Sequence, residues 1–141
     1  MRIFAKAYLC PRGTSPEDLK RRLVDANPDS MIQATKGGLV RNEAFVELLA
    51  AQTLQAESSG GLLANRPEID FLLRLAGTTQ ISRAIRDAGA KSGDQFVLVV
   101  AGRRTIRRPP GIDVTELPRQ ELTASELGRI EIAALLNAER A

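Results

Sequence analysis

The chain of 141 residues contains no histidine and no tryptophan, and its one cysteine is Cys10. Without histidine it cannot supply a Ser-His-Asp or Cys-His nucleophilic pair, an imidazole metal ligand, or the commonest general base. A lone thiol forms neither an internal disulfide nor a cysteine metal cage, and it fits an intracellular setting. Aromatic residues make up only 4% of the chain, so the core must rest on Leu, Ile, Val and Ala. No segment approaches the roughly 20 apolar residues that span a bilayer, and the N-terminus lacks a signal-like apolar core. These absences predict a soluble, cytoplasmic protein without a membrane partner.

Catalytic signatures are missing too. There is no G-x-x-x-x-G-K-[ST] phosphate loop, no G-x-G-x-x-G turn after a strand, and no D-x-D or H-x-x-x-H spacing. Nucleotide hydrolysis, dinucleotide binding and metal-assisted chemistry each lack their usual carrier. The acidic pairs Glu17 with Asp18 and Glu126 with Glu131 fit helix-start and surface charges better than an acid and a base. The expectation is a binding protein with no catalytic residues, no metal and no cofactor.

What is present suits one domain. Hydrophobic residues are 43% and charged residues 26% of the chain, ordinary for a globular protein of a size that buries a substantial core. Twenty Lys and Arg face 17 Asp and Glu, a balance of +3 that permits a polyanionic partner without requiring one.

Arg2 to Leu9 alternates Ile3, Ala5, Ala7 and Leu9 against Phe4, Lys6 and Tyr8, the period of a strand. Ser15-Pro16-Glu17-Asp18 starts a helix to about Ala26, with Leu19, Leu23 and Ala26 on one face and Lys20, Arg21 and Arg22 on the other. Met31 to Ala34 reads as a short strand. Asn42 caps a helix to about Glu57, whose stripe of Phe45, Leu48, Leu49 and Gln52 includes one polar member.

The stretch from Glu68 to Ala101 organises the rest. Asn65 is placed to cap a helix with Pro67 in its first turn, and Ile69, Leu72, Leu73 and Ala76 form one stripe while Phe71 and Leu75 form another. Such a helix is either central to the core or half core and half interface. Arg74 on it can be a rim residue, a member of an internal ion pair, or a ligand contact. Gly77 ends this helix, and Thr78 or Thr79 caps the next, in which Ile81, Ala84, Ile85 and Ala88 make the apolar stripe and Arg83 and Arg86 face water. Phe96 to Val100 is unbroken and β-branched, the pattern of a central strand covered on both faces.

Beyond Gly102, residues Arg103 to Arg108 hold four arginines in six positions. That loop is either an exposed turn kept soluble by charge or a phosphate clamp. Ile112 to Leu117 predicts a further strand. Thr123 and Glu126 form a capping box for a last helix with two apolar faces, Leu127, Ile130 and Ala134 on one and Ile132, Leu135 and Leu136 on the other. The element pattern predicts an α/β (α+β) domain, a small mixed or antiparallel sheet packed by several helices.

The run Glu68-Ile69-Asp70-Phe71-Leu72-Leu73-Arg74-Leu75-Ala76-Gly77, then Gln80-Ile81, Ala84-Ile85, Gly89 and an apolar strand, resembles the Cgi-type accessory subunit of the KEOPS complex, the PRPK-binding protein family. The resemblance centres on the middle of the chain, and the order of elements agrees over nearly all of it. It implies a noncatalytic subunit that binds the complex's kinase/ATPase subunit and tRNA, including the single-stranded 3′ CCA end, for threonylcarbamoylation of the adenosine beside the anticodon. The residues expected to meet RNA are Arg74, Gln80, Arg83, Arg86, Arg103 and Arg104. Those expected to meet a protein partner are Phe71, Leu75, Ile132, Leu135 and Leu136. The competing reading is a protein–protein adaptor or activator of the kinase that does not touch RNA.

Overall fold

The computed structural model describes residues 2–140, excluding the side chain of Arg140. Four strands form one antiparallel sheet: β1 (Phe4–Cys10), β2 (Met31–Lys36), β3 (Phe96–Gly102) and β4 (Thr115–Glu116), in the order β2-β3-β1-β4. Five helices surround it: α1 (Pro16–Ala26), α2 (Glu43–Ser59), α3 (Pro67–Ala76), α4 (Ile81–Ala88) and α5 (Ala124–Arg140). This is an α+β fold with a purely antiparallel sheet.

Strand β3 lies at the centre, and all seven of its residues are buried. Successive strand side chains point to opposite faces, so a strand apolar at every position must be covered twice. Phe96, Leu98 and Val100 join Tyr8, Cys10, Ile32, Leu19 and Leu23 in a cluster under α1. Val97, Val99 and Ala101 join Ala7, Phe45, Leu49, Phe71, Leu73 and Leu136 in a larger cluster under α2, α3 and α5. Burial pushes the Cys10 thiol up to about 12, so within this layer it behaves as a small apolar group.

The helix starts follow local chemistry. Ser15 accepts from the Asp18 N–H at 3.3 Å, and Asn42 accepts from Ala44 at 3.0 Å. Thr123 and Glu126 exchange bonds of 3.0 and 3.1 Å, a complete capping box. Gly77 closes α3 at φ 71°, a left-handed conformation that favours glycine, and its N–H bonds the Leu73 carbonyl.

Three local expectations fail. Asn65 does not cap α3; Arg66 stands at the cap position and gives no side-chain bond, while Pro67 removes one of the donors that would need it. Thr78 accepts from the Gln80 N–H, but Gln80 itself, not a threonine, is the α4 cap residue. The strand expected over Ile112–Leu117 shrinks to Thr115–Glu116. The carbonyls of Ile112 and Val114 are taken by the Arg108 guanidinium at 3.3 and 2.9 Å, and both side chains turn under the sheet instead of extending it.

Candidate functional site

The α3–α4 corner separates residues of like charge into opposite roles. Arg74 is 3% exposed, and its guanidinium holds Asp70 through Nε at 2.7 Å and Nη2 at 3.1 Å. Four residues separate them on one helix, so the two side chains lie one above the other. The same Arg74 donates to the Ala133 carbonyl and to Asn137 on α5, at 3.1 and 3.0 Å. Asp70 in turn accepts from the Thr53 hydroxyl at 2.6 Å and the Leu63 N–H at 3.0 Å. Every charge-bearing atom of the pair is engaged, which a buried ion pair requires. Arg74 is therefore a strut between α2, α3 and α5 with no surface to offer RNA.

Arg83, Arg86 and Gln80 are exposed, as expected for contact residues. Asp87 sits between the two arginines, 3.5 Å from Arg83 Nε and 3.0 Å from Arg86 Nε, so the helix face is less positive than its arginines suggest. The hydrogen bond from Arg86 holds the Asp87 carboxyl below its ordinary value. On the apolar side, Ala84 and Ala88 are buried, but Ile81 and Ile85 are 47% and 52% exposed. An eight-residue helix docked through two alanines lies too close to its neighbours to hide the larger side chains beside them.

Beside α4 opens a cavity of about 670 Å³ that the sequence did not reveal. Its walls come from the Gly13–Lys20 segment, β2, α3, α4 and the loop into β3. Ile69, Leu72, Ile85, Ala34 and Ala90 make it largely apolar, with Lys20, Glu17, Gln33 and Ser92 supplying polar groups. Gln33 is a bracing residue. Its side chain donates to the Glu68 carbonyl at 2.9 Å and accepts from the Ala34 N–H at 2.9 Å, which ties the sheet edge to the start of α3. Two of its lining glycines, Gly13 and Gly93, have open space where a side chain would stand, whereas a side chain at Gly89 would meet the Ile85 carbonyl.

The expected protein-binding residues divide. Phe71, Leu75 and Leu136 are 0%, 4% and 1% exposed and belong to the core, so they present nothing to a partner. Ile132 and Leu135 are 52% and 63% exposed and, with Leu127, form the outward apolar face of α5. The helix is held down on its other side by Ala133, Leu136, Asn137 and by Arg129, which lies over the Phe45 ring and donates to the Leu39 and Leu75 carbonyls. Gln52, the polar member of the α2 stripe, donates to the Ile130 carbonyl at 3.1 Å and so serves the same attachment.

In the basic loop both Arg103 and Arg104 are exposed, and Arg103 donates to Ser58 and to the Leu54 carbonyl. Among the described residues no helix is long and apolar enough to cross a membrane, and no three His, Cys, Asp or Glu side chains gather as a metal site. No protein-family model matches the chain, and no curated protein matches it.

Proposed function

We propose that this chain is a noncatalytic, cytoplasmic subunit of Cgi type in a KEOPS complex, which binds the kinase/ATPase subunit and holds the single-stranded 3′ CCA end of tRNA during threonylcarbamoylation. The observation that carries the RNA half is the cavity beside α4. Its aliphatic walls suit the faces of unstacked bases, and Lys20 at the cavity with Arg83 and Arg86 on the adjoining helix suits their phosphates. The chain has few aromatics and its largest are buried, so aliphatic walls and guanidinium planes must do the stacking. The protein half is supported by Ile132, Leu135 and Leu127, an exposed apolar face on a helix already anchored through its opposite side.

Equilibrium binding of tRNA with and without its terminal CCA, repeated across salt, tests the RNA half. Tight binding that needs the CCA and weakens with salt is expected, and charge reversal at Arg83 and Arg86 weakens it further. Indifference to both variables leaves the second reading, an adaptor that touches only the kinase. The same exposed α5 face supports that reading, and loss of kinase copurification in an Ile132→Glu, Leu135→Glu variant checks the interface under either one.

A further inference from the structure

The loop after β3 is held in place more firmly than a solvated turn needs. Residues 103–108 carry four arginines, and no acidic residue lies between Asp94 and Asp113. Two of the four are used internally. Arg103 binds Ser58 and the Leu54 carbonyl on α2, and Arg108 binds the Ile112 and Val114 carbonyls. Between them Asn27, 6% exposed, clasps the main chain of Arg107, accepting its N–H at 2.6 Å and donating to its carbonyl at 2.8 Å. Arg22 adds a bond of 2.9 Å to the Pro110 carbonyl. The side chains of Arg104 and Arg107 remain exposed and make no hydrogen bond or ion pair among the described residues. Both line a surface cleft of about 560 Å³ with Asn27, Ser30, Thr105 and Asp25.

We propose that Arg104 and Arg107 form a second RNA contact, a clamp for the phosphate backbone of the duplex stem that adjoins the single-stranded 3′ end. The inference rests on the tRNA-binding function proposed above and adds which arginines act and on which part of the RNA. A main chain fixed by Asn27 at Arg107, with Arg103 and Arg108 tied down on either side, leaves only the side chains of Arg104 and Arg107 to be ordered on binding. Position supports the assignment. The cavity beside α4 touches Pro16, Glu17 and Lys20 at the start of α1, whereas this cleft touches Asp25, Ala26 and Asn27 at its end. The two sites lie about one α1 length apart, roughly 16 Å for an 11-residue helix. An RNA with its unpaired end in the first site reaches the second with its stem. A phosphate backbone fits better than an acidic protein, because protein interfaces are anchored by apolar side chains and none of the exposed large hydrophobics belongs to this loop. Asp25 is the one carboxylate in the cleft, and it opposes an anion there.

The test uses the full chain with three RNAs: a tRNA transcript ending in CCA, the same transcript lacking CCA, and a short single-stranded oligonucleotide ending in CCA. Arg104→Ala with Arg107→Ala should weaken binding of the full transcript by about tenfold at physiological salt and reduce the salt slope by about 2. Binding of the short oligonucleotide should be unchanged, and Asp25→Asn should tighten binding of the full transcript. A wild type that needs the CCA, paired with a double variant of unchanged affinity and slope, overturns the clamp and spares the 3′-end reading. Equal losses on the transcript and the oligonucleotide also overturn it, because the loop would then hold the single strand. So does a variant that loses kinase copurification with RNA binding intact. A wild type indifferent to CCA and salt instead defeats the underlying function.

Discussion

Arg74 on α3 and Arg83 and Arg86 on α4 lie within 13 positions of one another, yet they occupy opposite environments. Arg74 is 3% exposed and bonded to Asp70 and to α5, while the α4 pair is exposed and shares one carboxylate. The difference does not come from the arginines. Asp70 stands one helical turn before Arg74, with Thr53 and the Leu63 N–H to complete its bonds, so the pair can leave water together. On α4 the carboxylate is itself exposed, and solvent screens the contact until it contributes little. A guanidinium's role is thus decided by whether its neighbours can satisfy both charges without water.

That contrast can be broken most sharply at Arg74. Arg74→Ala leaves Asp70 charged and buried, and urea unfolding should show a loss of about 3–5 kcal/mol. A stability change below 1 kcal/mol would mean that Asp70 is not carrying an uncompensated charge. Cys10 sharpens the comparison as a buried ionisable group without a charged partner. Because burial raises its folded value to about 12, the folded thiol keeps a proton that the unfolded chain releases above an ordinary value near 9. Its contribution to stability is complete below pH 9 and falls through the window to pH 12, by about 1.4 kcal/mol per pH unit at most. Unfolding curves of Cys10→Ala against the parent across that window isolate the effect, and thiol labelling at pH 8 should require denaturation.

The corner joining the two helices is next in size. Gly77→Ala puts a Cβ at φ 71° and 3.4 Å from Ile132 Cγ2, and a loss of about 1–2 kcal/mol is expected in thermal unfolding. At the small end, Arg83→Ala with Arg86→Ala should leave stability within about 0.5 kcal/mol while weakening tRNA binding. A large destabilisation there would erase the distinction between the two helices.

Much of the fold was legible in residue order. The limits of α1, the glycine stop of α3, the capping box of α5 and the double-sided burial of β3 each follow from chemistry within a few residues. Site residues were less legible. Periodicity identified Ile81 and Ile85 as a buried stripe, but a helix resting on Ala84 and Ala88 leaves them outside. Phe71, Leu75 and Leu136 carried the same apolar signal as Ile132 and Leu135, because an amphipathic pattern does not say which of two apolar faces meets the rest of the chain.

By itself the sequence determined the elements and the absence of histidine chemistry, since capping, glycine geometry and alternation act locally. Only the tertiary structure decided that Arg74 is a strut and that Asn27 grips the main chain of a loop 80 positions away. It also decided that a cavity opens where α1, β2, α3 and α4 meet. Each depends on which distant groups share a space from which water is excluded, and no local pattern encodes that.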